Sequence, residues 1–286
     1  MKGLRAIFIG LYPVFLVAVT FYAALILYEM AAASLAWWGV FLTTAPFLVF
    51  LLRISIFKDL ARTSRRLPII QGLAVVGFFL AFFSVLVIGV PDLLALILAA
   101  AGLAFFVIYN FWYAELKPRQ CTALQKGARL PSFALENTVG ETVSAEDLSA
   151  GPTFLLFYRG NWCPVCMAQV SEIVGHYQEL KDLGVTVALV SPQPLHKTAK
   201  LAAKHGLGIT FLIDQGNQAA KALGIEVKKG LPIGLGLFGY DEDTVVPTII
   251  LVGAQGQILH SEIAENYRVR PHPQRLIGIL KDSLAE

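Results

Sequence analysis

Cysteine is scarce in this chain, with three residues in 286, Cys121, Cys163 and Cys166. A disulfide-stapled scaffold uses a denser, even set, so that class is excluded. Charge is also scarce, at 15% of residues with a formal net charge of +3, and so small a basic excess gives no argument for a nucleic-acid partner. The five histidines, His176, His196, His205, His260 and His272, show no paired ligand spacing around a second cysteine pair. A tetrahedral zinc site would lack two ligands, and no other motif calls for a metal or cofactor. None of the five lies before residue 176, so the apolar N-terminal part has no axial ligand for a haem.

What the chain has in abundance is long apolar runs. Mean hydropathy is +0.64, and the excess is concentrated before residue 114. Four stretches, residues 6–28, 35–52, 69–90 and 93–113, have the length that a hydrocarbon core of about 30 Å asks of a helix. The first exceeds the usual apolar core of a signal peptide, so it reads as a span. Tyr28, Trp37, Trp38, Trp112 and Tyr113 fall at or near span ends, where amphipathic rings prefer the headgroup zone. The acids Glu29 and Asp92 sit in the two hairpin turns and no Lys, Arg or His falls in any of the four stretches, so an ion path or proton relay lacks its usual parts.

Orientation follows from the basic residues. Lys2 and Arg5 precede the first span. Arg53, Lys58, Arg62, Arg65 and Arg66 occupy the central loop, and Lys117, Arg119, Lys126 and Arg129 follow the fourth span, while the hairpin turns carry none. The asymmetry places both termini on the cytoplasmic side of the cell (inner) membrane in a multi-pass protein, with membrane lipid as a partner of the spans.

After a polar linker, residues 114–129, the pattern changes to alternating strands and helices. Apolar runs at 153–158, 185–191, 210–213, 248–252 and 257–260 read as strands, and 164–183, 195–205, 218–223 and 273–284 as helices. Gly253 to Gly256 reads as the hairpin turn between the last two strands. The expected architecture is an all-α membrane domain of four transmembrane helices, residues 1–113, followed by an α/β domain with a mixed central sheet, residues 130–286.

Trp162-Cys163-Pro164-Val165-Cys166 stands between the strand at 153–158 and the helix at 164–183. Unpaired N–H groups and the dipole of a helix start stabilise negative charge, and the thiolate is the reactive form of cysteine. Pro164 suits the first helical position because its missing N–H costs nothing there. Two cysteines three residues apart at this place form a redox pair that can close and reopen a disulfide. Gly234 to Gly239 matches G-x-G-x-x-G but lacks the strand, helix and downstream acid of a dinucleotide site, and reads as a loop beside the active site. Cys121 reads as a spare or lipidated thiol.

Leu130-Pro131-Ser132-Phe133-Ala134-Leu135, the run from Phe157 to Cys166, Val190-Ser191-Pro192, Lys204-His205-Gly206-Leu207, Phe211-Leu212-Ile213-Asp214 and Arg268-Val269-Arg270-Pro271 together resemble the redoxin group. More narrowly, residues 130–286 resemble the peroxiredoxin-like (AhpC/TSA) branch of the thioredoxin superfamily. The resemblance implies a thioredoxin-like fold and a thiol-dependent peroxidase or disulfide reductase, an antioxidant activity. Its partners would be a peroxide or disulfide substrate and a cytosolic thiol reductant, a thioredoxin or glutathione system. Counted from Phe157, Cys166 falls on the peroxidatic position and Cys163 on the Thr that precedes it, with Arg159 in place of a Pro and Gln169 in place of a Glu. In the thioredoxin pattern Cys163 is instead the exposed nucleophile and Cys166 the resolving thiol. The same pattern implies a cis bond at Pro247, before Thr248, facing the pair. No Arg lies between Lys229 and Arg268, so the arginine that meets a peroxide is Arg159 or one from the Arg268/Arg270 segment. The catalytic pair is thus Cys163 and Cys166, supported by Arg159, Trp162, Pro164, Pro247 and Thr248. The alternative is a redox-fold binding module or membrane assembly factor in which the cysteines are not catalytic.

Overall fold

The computed structural model describes residues 2–30, 33–57, 59–119, 121–205 and 208–285. Lys58, and the Gly206-Leu207 pair of the redoxin-like segments, lie outside the described residues. The chain divides into two compact units, Ile7–Phe57 with Thr63–Leu116, and Met1–Ala6 with Lys58–Arg62 and Lys117–Glu286.

The first unit is built from α1 (Lys2–Glu29), α2 (Leu35–Phe57), α3 (Pro68–Phe82) and α4 (Leu93–Ile108). Among the described residues, four helices are long and apolar enough to cross a membrane. Small residues set their packing: a Cβ on Gly39 would lie 2.5 Å from the Gly77 carbonyl oxygen, and one on Gly102 would lie 2.6 Å from Thr43 Oγ1. Such close backbone approach replaces the hydrophobic drive that lipid cannot provide. Asp92 caps α4 by accepting from Ala95 N at 3.1 Å and also accepts Trp37 Nε1–H at 2.6 Å, which ties the second hairpin turn to α2. The last turns of the third and fourth spans are wound as π-helix, over Phe83–Val87 and Tyr109–Tyr113, closed by Ile88 N to Phe83 O and Ala114 N to Tyr109 O. Buried Asn110, within the second of these turns, donates to Arg66 O at 2.6 Å, so this polar side chain is satisfied. Val14, Val17, Phe21, Phe79, Leu86 and Ile97 turn outward, an exposed apolar surface of the kind that marks a membrane or protein contact. Helix α2 runs past residue 52, so Arg53 lies inside its last turns and outside the expected loop.

The second unit holds a seven-stranded mixed sheet. Its strands are β1 (Ala134–Asn137), β2 (Thr142–Ser144), β3 (Thr153–Phe157), β4 (Thr186–Ser191), β5 (Thr210–Ile213), and, after a separate two-stranded ribbon of β6 (Glu226–Val227) and β7 (Thr244–Val245), β8 (Thr248–Val252) and β9 (Ile258–Ile263). The order is β2-β1-β5-β4-β3-β8-β9, with β3, β4 and β5 parallel and the remaining pairs antiparallel. Every residue of β3 and β8 is buried, as central strands covered on both faces require. Helices α5 (Pro164–Gly175), α6 (Tyr177–Asp182), α7 (Leu195–His205), α8 (Gln218–Ala222) and α9 (Pro273–Ala285) complete the unit.

Three differences from the sequence reading have physical causes. The helix expected over 164–183 is two helices, broken at His176, whose φ of −99° and ψ of 7° leave the helical region directly after Gly175. The β1–β2 hairpin was not anticipated because only Leu135 in it is fully buried, so there is no apolar run to see. The expected linker is hydrogen-bonded to the second unit: Gly127 N donates to Ile258 O and Arg119 Nη1 to the Gly224 and Glu226 carbonyls, and just beyond it Leu130 N donates to Gly256 O.

Candidate active site

Strand β3 runs through the middle of the sheet and delivers its C-terminal end, with Tyr158 N bonded to Val190 O at 2.9 Å, to a tight turn at Gly160. Gly160 has φ of +143°, and a Cβ there would meet Trp162 Nε1 at 2.7 Å, so glycine is required twice over. Cys163 then caps α5. Its backbone is extended, its Sγ accepts the Cys166 N–H at 3.4 Å, and Pro164 occupies the first helical position. Both sulfurs are free thiols, and both are buried, Cys163 to 6% exposure and Cys166 to 0%. Of the two, Cys163, the nucleophile of the thioredoxin pattern, is the more exposed.

The cations come from two places. The Arg159 guanidinium is sandwiched between Trp162 at 4.4 Å and Tyr267 at 4.2 Å, and its Nη2 donates to Gly230 O at 3.0 Å. Buried Arg270 donates through Nη1 to the Asn266 and Val269 carbonyls at 3.0 and 2.8 Å, while its Nε and Nη2 have no hydrogen-bond partner among the described residues. Both charges act on the sulfur pair. Burial by itself would raise the Cys166 thiol, but the hydrogen bond from Cys163, the Arg270 charge, the Arg159 backbone N–H and the Arg159 charge outweigh it and bring the pKa down to about 6. Cys163 moves the other way, pushed well above the usual thiol range by its hydrogen bond to Cys166 and by burial. The two thiols are thus shifted in opposite directions.

The remaining sequence-derived candidates fall around this centre. Thr248 pairs with Phe157 across β3 and β8, which places it beside the end of β3, and its hydroxyl is committed to Val246 O at 2.8 Å. The Val246–Pro247 peptide is trans, since no cis bond occurs among the described residues. This corrects the cis-proline expectation: Pro247 precedes the first residue of β8, where the missing N–H costs no ladder bond, and Val246 N and Pro247 O are engaged by Ile225 O and Ala264 N. Cys121 is remote in role. Its thiol meets Gly224 O at 3.6 Å and burial raises its pKa.

Several site residues escaped the sequence reading. Tyr267 under Arg159, Tyr240, whose hydroxyl donates to Asn161 Oδ1, and Gln193, which accepts from Asn161 N at 2.7 Å, are supplied by three separate loops. Arg159, Trp162, Gln193, Leu231, Tyr240 and Thr244 line a small, solvent-open depression. Only Gln193, directly after the Val190-Ser191-Pro192 segment, carried any signal of position.

Residues 126–261 match the profile of the AhpC/TSA family. Peroxiredoxin Bcp of Escherichia coli is 26% identical over 159 residues, 56% of this chain and 97% of the relative. The thiol-disulfide oxidoreductase ResA of Halalkalibacterium halodurans is 26% identical over 169 residues, 59% of this chain and 81% of the relative. Among solved structures, the peroxidoxin BcpB of Mycobacterium tuberculosis aligns with a TM-score of 0.47 at 19% identity, covering 56% of this chain and 97% of that one. The family profile and the two sequence relatives make the C-terminal part of this chain, which follows four apolar helices in the sequence, similar to peroxiredoxins of the AhpC/TSA family.

Proposed function

We propose that the chain is a membrane-anchored, thiol-dependent peroxidase that cycles Cys163 and Cys166 between dithiol and disulfide, with Cys166 as the attacking sulfur. The observation that carries this reading is the sulfur pair at the helix start: both thiols are buried, Cys163 Sγ accepts the Cys166 N–H, and the arginines Arg270 and Arg159 act on both sulfurs. The Cys166 thiolate attacks the terminal peroxide oxygen, the O–O bond breaks, and the departing alkoxide or hydroxide takes a proton, leaving Cys166 as the sulfenic acid. Cys163 then attacks that sulfur, the S–S bond forms and water leaves. A cytosolic dithiol, of the thioredoxin type or the glutathione system, reduces the disulfide and becomes oxidised in turn. A small disulfide in place of the peroxide would enter by the same attack and leave as a thiol.

Each supporting residue has a place in this scheme. Arg270, with two unused donor nitrogens, and Arg159, clamped by two rings, hold the thiolate and the peroxide oxygen. Pro164 starts the helix, Trp162 holds Arg159, and Thr248 with Pro247 forms the neighbouring wall. In the cell we assign residues 1–113 to the membrane anchor, 114–129 to the connection and 130–286 to the redox domain on the cytoplasmic side of the cell membrane. The support is the basic asymmetry of the loops, eleven Lys and Arg on one side against none in the hairpin turns.

Stopped-flow oxidation of the reduced full-length chain in nanodiscs by hydrogen peroxide, an organic hydroperoxide and a small disulfide tests the reading. Reaction that persists in Cys163→Ser and vanishes in Cys166→Ser supports it. Wild-type behaviour of both variants would return the redox fold to a binding role.

A further inference from the structure

The Arg159 backbone N–H helps to lower the Cys166 thiol, and Arg159 lies two residues beyond Phe157, where β3 ends. The chain continues into a turn, Gly160-Asn161-Trp162, which is closed by Cys163 N to Gly160 O at 3.2 Å and is held also from outside. Asn161 N donates to Gln193 Oε1 at 2.7 Å, the Asn161 side chain accepts from Tyr240 OH, and Arg159 O accepts from Thr244 Oγ1 at 3.2 Å. Of these holds, Gln193 is buried to 1% exposure and makes several further hydrogen bonds. Its Nε2 donates to Tyr158 OH at 3.3 Å and to Thr198 Oγ1 at 3.1 Å, and its own N–H meets Ser191 Oγ at 3.3 Å. This set of partners fixes the orientation of the amide: flipped, it would aim an NH2 at the Asn161 N–H. The side chain therefore bridges the end of β4, the start of α7 and the cysteine turn, beyond the last β3–β4 backbone bond, from Tyr158 N to Val190 O.

We infer that Gln193 is a positioning residue, whose amide fixes the Gly160-Asn161-Trp162 turn and thereby holds the Arg159 backbone N–H against the Cys166 sulfur. The inference rests on the proposal that Cys166 is the attacking thiolate. It differs from a packing role in its consequence. An apolar side chain of the same length would fill the same space yet release Asn161 N, leaving the turn to drift and the sulfur without one of its donors.

The test is the pH dependence of Cys166 alkylation by iodoacetamide in the full-length chain, followed by mass spectrometry of the Cys166 peptide. Gln193→Met, folded by circular dichroism, alkylates about two- to fivefold more slowly at pH 5 with its midpoint moved upward, the size expected for one weakened hydrogen bond to a charged sulfur. Tyr240→Phe, at a half-buried position, moves the midpoint the same way by less, and the two changes are non-additive because both act through Asn161. If Gln193→Met does not fold, the Tyr240→Phe midpoint decides. Unchanged midpoints in the variants, beside an acidic wild-type Cys166, overturn the inference alone. A wild-type Cys166 that titrates like an ordinary thiol overturns the proposed function instead.

Discussion

Replacing Arg270 by Met takes one positive charge from beside a buried sulfur and adds none. Arg270 and Cys166 are 4% and 0% exposed, so water screens their interaction little. An opposite charge at such a site moves a pKa by about 1 to 3 units, and because Arg159 stays, the lower half of that range applies. Starting from about 6, the variant's midpoint falls between about 7 and 8. A more basic thiolate is also a better nucleophile, with a Brønsted slope of about 0.4 to 0.5, which returns part of the loss. The two effects cross. At pH 5 the variant alkylates about three- to fifteenfold more slowly than wild type, whereas at pH 9, where both are largely ionised, it alkylates about two- to ninefold faster. Iodoacetamide labelling of the reduced chain across pH 4.5 to 9.5, with Cys166 quantified by peptide mass, reads both limbs. A folded variant whose profile superimposes on wild type would refute the assignment of Arg270 to the sulfur. A profile lowered equally at all pH values would mean that the substitution blocks access without altering charge.

Other substitutions separate the remaining parts of the account. Cys163→Ser retains the first oxidation but cannot close the disulfide, so excess peroxide carries Cys166 on to the sulfinic acid, a gain of two oxygens in the peptide mass; accumulation of an unmodified peptide would count against Cys166 as the attacking sulfur. Gly160→Ala forces a side chain onto a backbone at φ +143° and into Trp162, at a cost of about 1 to 3 kcal/mol for the backbone alone. Its thermal midpoint drops and its peroxide reaction slows; an unchanged melt would show that the turn relaxes. Gly39→Val drives a branched side chain into the Gly77 carbonyl, and overpacking of this kind costs about 1 to 3 kcal/mol. Detergent melts of the full-length chain should show the loss, while Ile97→Val, on the outward face, leaves the melt unchanged.

The legible parts of this sequence were those in which one local signal sufficed. Strands 210–213 and 248–252 and the helix 195–205 were readable because a buried run or an amphipathic face announces itself within a few residues. The cysteine turn was readable because Gly160, Pro164 and the two sulfurs each have a narrow conformational or chemical use. Non-local pairing was not. The ribbon of β6 with β7 has two residues per strand and depends on a partner seventeen or more positions away, so nothing in either dipeptide marks it. Pro247 carried a motif's position without its peptide geometry, because whether an X-Pro bond is cis is settled by the surroundings of the strand entry, here the Ile225 and Ala264 contacts. Arg270 could be narrowed by elimination to one segment, but its burial with two unused nitrogens follows from the path of the 264–272 loop, which has no regular period. Gln193, a polar residue between two prolines, reads as loop in any local window. Only the tertiary structure turns it inward.

The claim on which all of this depends is that sulfur 163 and sulfur 166 exchange electrons as a pair. Treating the reduced full-length chain with one equivalent of hydrogen peroxide or hydroperoxide and weighing the peptide that holds both residues measures it directly. The account predicts the loss of two hydrogens, complete at one equivalent and reversed by a dithiol. Oxygen addition at Cys166 with Cys163 left as a free thiol, or no change in mass, would contradict it.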